Sequence, residues 1–373
     1  MTTLTIRLRP RTQTVTDGHR LVLRLGDTIT TIAPFDELAE QLLHHLVAGV
    51  GDDALVADMT EAFGADGRDR TEEILATLTG LGFMEHVEVP ADIHPADLAR
   101  FSRLVDFFSQ FEDSGTDRYD YLRKLIGARV AVLGTGGMGS WITYNLMCMG
   151  VGNLRLIDGD VVEASNLNRS ILYSEEDIGR PKVEAARDAV LRFAPRTNVE
   201  IHHRYIDGDG PLAELLDGVD LLVGCADKPA WLIREWVARA GQAAGVPTFN
   251  VSGGRVGPLY VPGKTSCQMC DWAALVDRNP RLPRLVELNR RLPRGNSGSL
   301  TALAMGAAAP AVFDIFRFLS GYAPPRSFNA VLEIEETGNT PVPRPPHPDC
   351  VICAGEVSDA GGELSAPAGL VAS

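Results

Sequence analysis

The run Gly134-Thr135-Gly136-Gly137-Met138-Gly139 stands where an apolar stretch, residues 130–133, gives way to a helix-like one. Glycines at such a junction let the backbone approach a phosphate and aim N–H groups at it. The spacing satisfies G-x-G-x-x-G, and Asp158 follows 19 residues past Gly139, where an acidic side chain would bond ribose hydroxyls. That much suits a nicotinamide dehydrogenase, and a glycine turn with no ligand is the plainer alternative. The next segment separates the ligands. Asp158-Gly159-Asp160 leads to Ser165-Asn166-Leu167-Asn168-Arg169, and Lys182 opens a helix after Gly179-Arg180-Pro181. Asn166, Arg169 and Lys182 form a set suited to clamping a triphosphate, whereas the helix N-terminus already serves a dinucleotide's pyrophosphate. Asp227, just past the apolar run 221–224, stands at a strand's carboxyl end and could hold Mg²⁺. Each of these residues taken singly is as well read as a solvated surface group; the ordered set carries the argument.

Cys267 and Cys270 form one C-x-x-C, and Cys350 and Cys353 another. Two such knuckles can close a tetrahedral four-thiolate zinc site that pins the C-terminal segment, against the alternative of free thiols. Cys148 and Cys225 lie in apolar segments and read as core residues, so no covalent cysteine intermediate is expected. His202 and His203 fall in a strand-like stretch and read as structural or exposed.

Alternating strands and helices must position the glycine loop. From residue 128 onward, strand-like runs at 130–133, 154–157, 199–203, 221–224 and 248–251 alternate with helix-like stretches at 137–149, 181–193 and 230–244. The fold class expected is α/β: a Rossmann-like, mainly parallel sheet with helices on both faces and a zinc-knuckle C-terminal part. Residues 1–90 read differently. Strands at 4–8, 21–25 and 28–32, with turns at Asp17-Gly18 and Gly26-Asp27, precede helical stretches at 35–47, 53–63 and 70–81. This is a small winged-helix-like α+β plan. Residues 91–126 read as a helical connector, 127–353 as the α/β domain and 354–373 as a disordered tail. The Arg- and Pro-rich stretch 279–294 reads as a long loop with some helix, either solvated or folding over a nucleotide.

Charge narrows the partners. The 373 residues carry 35 Lys and Arg against 49 Asp and Glu, a formal net charge of −14, which argues against nucleic acid as a partner. The longest uncharged apolar run, 300–313, stops at Asp314 and contains Pro310, short of the roughly 20 residues of a membrane span. With no signal-peptide core at the N-terminus, a cytoplasmic protein is expected.

The order GTGGMGS, LIDGDVVEASNLNR, IGRPK and CADK resembles the ThiF/MoeB/HesA (ubiquitin-activating-like) adenylyltransferase superfamily, and the paired cysteines resemble its zinc-bearing bacterial members. The resemblance spans residues 118–353. It implies a homodimer that binds ATP with Mg²⁺ and transfers AMP to the C-terminal carboxylate of a protein or peptide, releasing pyrophosphate. By resemblance, Gly134, Gly136, Gly137 and Gly139 meet phosphate, Asp158 and Asp160 lie at the nucleotide, Asn166, Arg169 and Lys182 hold the triphosphate, and Asp227 the magnesium. The family's N-terminal arginine, which reaches the partner subunit's phosphate, corresponds to Arg123 or Arg118, with Arg123 favoured. Ser170 stands where the family has Gln. Such chemistry needs cations and backbone donors rather than a general base, because the attacking carboxylate is already ionised near neutral pH.

The N-terminal unit resembles the peptide-recognition element of enzymes that modify ribosomally made peptides, where a leader adds a strand to a sheet edge. A dimerisation or packing domain is the alternative. The expected function is adenylation of a ribosomal peptide's C-terminus in natural-product biosynthesis, of the microcin type. Activation of a ubiquitin-like sulfur carrier and a catalytically silent leader-binding module are the competing readings.

Overall fold

The structure, a computed structural model, describes residues 4–290, 298–335 and 338–353. It divides into two compact units, Met1–Glu112 and Asp113–Ser373. The boundary falls inside the stretch 91–126 that reads as a connector, so that stretch is shared between the units. The tail 354–373 and part of the Arg-rich stretch lie outside the described residues.

In the first unit β1 (Leu4–Leu8) does not join the neighbouring hairpins. A three-stranded antiparallel sheet is formed by β2 (Gln13–Thr16), β3 (Leu21–Leu25) and β4 (Thr28–Ile32). The polar strand β2 lacks the apolar alternation of β3 and has all four residues exposed, which is why its sequence does not announce it. Helix α1 (Glu37–Ala48) is capped by Asp36, whose carboxylate accepts the Ala39 N–H. Residues 53–63 and 70–81, read as two helices, lie in one long element, α2 (Asp52–Gly80), broken by non-helical Gly64 at φ 71°. Strand β5 (Met84–Glu88) returns to pair antiparallel with β1. Leu23, Leu42, Leu46, Leu55, Met59 and Phe83 are fully buried and form the core of the unit. Two short helices, α3 (Pro95–Arg100) and α4 (Ser102–Phe108), end it.

The second unit opens with α5 (Arg118–Gly127), started by a capping box between Asp117 and Asp120. Strand–helix alternation follows: β6 (Arg129–Leu133), α6 (Gly137–Cys148), β7 (Asn153–Ile157), α7 (Lys182–Phe193), β8 (Asn198–His202), α8 (Asp209–Ala213), β9 (Leu221–Gly224), α9 (Leu232–Ala244) and β10 (Thr248–Ser252). Then come β11 (Arg255–Tyr260), α10 (Gln268–Arg278), α11 (Leu282–Arg290), α12 (Thr301–Ser320), β12 (Ala330–Glu335) and β13 (Gly338–Pro343). The eight-stranded sheet has the order β13-β12-β11-β10-β9-β6-β7-β8. Its β10-β9-β6-β7-β8 part is parallel, and β11 to β13 extend it antiparallel. Ala131 and Leu133 of β6 pack with Leu212, Ile233 and Val237 from α8 and α9 on one face. Val130 and Val132 alternate to the other, where α6 and α12 lie. The sheet is therefore sandwiched, as a parallel sheet must be.

The apolar run of residues 300–313 lies in α12, which continues to Ser320 through both Pro310 and Asp314. By length and composition it could cross a membrane, but it packs against α6, α5 and the sheet. Asp314 tolerates full burial because its carboxylate accepts from Arg317 and from the Arg326 and Ser327 N–H groups.

Candidate functional site

The glycine loop links β6 to α6, beside the point where strand order reverses around β6. In doubly wound sheets that crevice takes ligands. Gly134 has φ 86°, and a Cβ there would sit 2.8 Å from the Ala226 nitrogen. At Gly139 a Cβ would lie 1.8 Å from the Gly134 carbonyl oxygen, so no side chain fits. Gly137 packs on the Arg169 side chain, its notional Cβ 3.1 Å from Cγ. Gly136 begins α6 with open space around its Cα, and no side chain caps the helix. Its first N–H groups are thus available to an anion.

Asp158, past the end of β7, ties this loop to the next. One carboxylate oxygen accepts the Thr135 N–H at 2.7 Å and hydroxyl at 3.2 Å; the other accepts the Asp160 N–H at 2.9 Å. Buried Tyr173 supports the loop from below, donating to the Thr135 carbonyl at 2.7 Å and contacting its hydroxyl at 3.0 Å. Burial pushes the Tyr173 phenol well above its usual range. Asp160 receives the Lys182 ammonium at 2.8 Å on one oxygen and the Tyr205 hydroxyl at 2.8 Å on the other. Burial opposes its charge, but Lys182 and Tyr205 together outweigh that and hold the carboxyl below the usual range. Lys182 is buried, at the first turn of α7, and its N–H also donates to the Asp160 carbonyl at 3.0 Å. Arg169 donates to the Ser165 carbonyl at 2.5 Å and the Asn168 side chain at 3.0 Å. Buried Asn166 accepts the Glu163 N–H at 3.1 Å, holding the turn that carries Arg169.

Asp227 is exposed and, among the described residues, makes no hydrogen bond or ion pair. It directly follows Ala226, whose backbone lies against Gly134. Ser170 is buried with its hydroxyl unpartnered. Of the two arginines of α5, Arg118 is buried, while Arg123 pairs with Asp120 at 2.8 Å. Cys225 lies behind the loop, and burial raises its thiol to about 12, which suits a core residue rather than a nucleophile. His202 meets Glu200, and His203 the Gly159 carbonyl. The sequence reading missed Tyr173 and Tyr205; an isolated tyrosine outside a motif gives no sign of which loop it will brace.

The four cysteines gather at the start of α10 and after β13, all buried, their Sγ atoms within 4.8 Å of one another. Individual separations of 3.2 to 3.9 Å match the ~3.8 Å edge of a tetrahedron with 2.3 Å zinc–sulfur bonds. The His347 N–H points at Cys270 Sγ at 3.4 Å, an outer donor of the kind that steadies a metal-bound thiolate. Donor type and geometry both fit a structural zinc.

With this geometry described, the similarities are informative. Residues 101–352 match the ThiF family. The molybdopterin-synthase adenylyltransferase of Escherichia coli K12 is 31% identical over 226 residues, covering 57% of this chain and 82% of that one. The sulfur carrier protein ThiS adenylyltransferase of the same organism is 31% identical, over 41% of this chain and 61% of its own. Among solved structures, E. coli MccB with ATP aligns at TM-score 0.62 and 23% identity, covering 94% of this chain and all of that one. PaaA aligns at TM-score 0.63 and 19% identity over 90% of this chain and 99% of its own. The chain belongs to the ThiF family and is an ATP-using adenylyltransferase.

Proposed function

We propose that this enzyme adenylates the C-terminal carboxylate of a ribosomally made peptide, using MgATP and releasing pyrophosphate. The observation that carries this reading is coverage. The likeness to MccB extends over 94% of the chain, N-terminal unit included, whereas the molybdopterin-synthase relative covers 57%. A solved complex of MccB holds N-formylated MccA. In this chain the three-stranded sheet of the first unit supplies edge strands to which a leader could add.

In the reaction, the carboxylate attacks the α-phosphorus of ATP; the acyl–O–P bond forms as the bond to pyrophosphate breaks. The glycine loop and open end of α6 receive phosphate oxygens. Asp158 turns towards ribose, and Arg169 and Lys182 oppose the charge on the leaving pyrophosphate. Lys182 exchanges its Asp160 partner for phosphate, so Asp160 stores the cation in position until nucleotide arrives. Asp227, unpartnered at the strand end, would hold Mg²⁺, whose role is to neutralise phosphate charge. Two copies form the active enzyme, with Arg123 or Arg118 reaching the partner's nucleotide.

Pyrophosphate release on mixing the protein with MgATP and a short peptide encoded beside its gene is the test. Lys182→Ala lowers that rate by roughly 10²–10³-fold, the scale expected for one charge-stabilising group. Equal rates in variant and parent remove Lys182 from the clamp. Release with a ubiquitin-like sulfur carrier and none with the peptide favours the second reading, which the E. coli sulfur-carrier relatives support.

A further inference from the structure

Four residues beyond Asp227, the chain enters a cavity of about 170 Å³ between the start of α9, α10 and α11. Trp231 and Trp272 form its aromatic wall, ring centroids 4.6 Å apart, and Val286 adds an apolar side. Trp231 is held at φ 66°, a left-handed conformation that is strained for a non-glycine residue. Arg234 stacks on Trp231 at 4.8 Å and, among the described residues, has no hydrogen bond or ion pair. Among the described residues no carboxylate pairs with it directly. Glu235 lines the cavity but is engaged by Arg239, and Glu287 by Arg284. Asp271, whose charge favours the guanidinium from a distance, pairs directly with Arg255 and Arg344 instead, and these also share Glu333. Gln268 is turned to Thr248 and Pro258. Among the described residues, then, one guanidinium has no direct counter-ion in a ring-walled cavity, and burial lowers its pKa from the usual arginine value.

The volume is below the ~300 Å³ at which small-molecule pockets begin, so the occupant is one side chain rather than a nucleotide. We propose that this cavity is an acceptor-recognition subsite for an acidic side chain, whose carboxylate pairs with Arg234 while its methylenes lie on the tryptophan rings. This carboxylate is held rather than activated, since a salt bridge would blunt it as a nucleophile. The subsite deepens the peptide reading above and rests on it for the acceptor's identity. The binding itself needs no ATP, so the two can fail separately.

The test is titration of the full-length protein, labelled at the indole nitrogens, with N-acetylglutamate α-amide, N-acetylglutamine α-amide and inorganic phosphate. The Trp231 and Trp272 indole signals, assigned from single Trp→Phe variants, shift saturably with the glutamate probe. Affinity falls about tenfold or more with the glutamine probe and in Arg234→Met, the loss of a charge-assisted hydrogen bond. Arg234→Lys, which keeps charge and packing, retains glutamate binding and controls for folding. No shift with glutamate, equal shifts with both amides, or undiminished binding in Arg234→Met overturns the proposal. Phosphate binding as tight as glutamate's overturns the acidic-side-chain assignment in favour of a general anion site.

Discussion

Tyr173 sits under Thr135 with its hydroxyl committed to two oxygens of the loop, so the phosphate cradle rests on a phenol far from it in sequence. Tyr173→Phe leaves the Thr135 carbonyl without this donor in a buried setting. The expected cost is about 1–3 kcal/mol of stability, read as a fall in thermal midpoint, with a raised KM for ATP. Unchanged stability and KM would mean that water replaces the phenol. The same scale marks the limit of the sequence. Lys182, Asp160 and the glycines announce themselves by order and spacing, because their chemistry demands those types at those places. Tyr173 and Tyr205 do not, because a brace can come from any loop that passes nearby. Arg234 likewise reads as one more helical cation until its missing counter-ion is seen.

Helix α1 offers the clearest element-level case. The Arg70 guanidinium first, and the Ala39 N–H after it, hold the Asp36 carboxyl below its ordinary value against a modest burial. A folded-state value below the unfolded one stabilises above the unfolded carboxylate range, near pH 3.9, and is lost as pH falls through the folded value. Asp36→Asn keeps an N-cap but loses the ion pair. It is expected to destabilise at pH 7 by about 0.2–1 kcal/mol, less in high salt, and to approach the parent at acid pH, once Asp36 is protonated in the folded state too. Chemical denaturation at both pH values, each referred to the parent, checks this. Elements followed the sequence where burial dictates the pattern: alternating in β3, with one face buried, and continuously apolar in β6, with both faces buried. They escaped it where nothing apolar was required, as in β2; the two helical stretches of α2 were legible, and Gly64 is the kink between them.

At the scale of the whole molecule, the two cysteine pairs join the start of α10 to the segment after β13 and enclose α11, α12, β12 and β13 between them. Metal analysis is expected to find one zinc per chain. Stripping it frees a loop of roughly 80 residues, worth about 4–5 kcal/mol in closure entropy alone, so the thermal midpoint falls by roughly 10 °C or more. Cys350→Ser should show the same fall without a chelator, and a metal-free protein of unaltered midpoint would contradict the assignment. That this segment is a covalent-like clasp on an α/β core was legible from the C-x-x-C spacing. Which strands it enclosed was not, because β12 and β13 pair with the sheet from far along the chain.

The crowding of the four sulfurs has a consequence for handling the enzyme. Once the ion is gone, neighbours at 3.2 to 3.9 Å need close by only about 1–2 Å to reach the ~2.05 Å of a cystine bond. Aerated apoprotein would thus lock itself by oxidation, and adding zinc back would restore nothing until a thiol reductant had reopened the pairs.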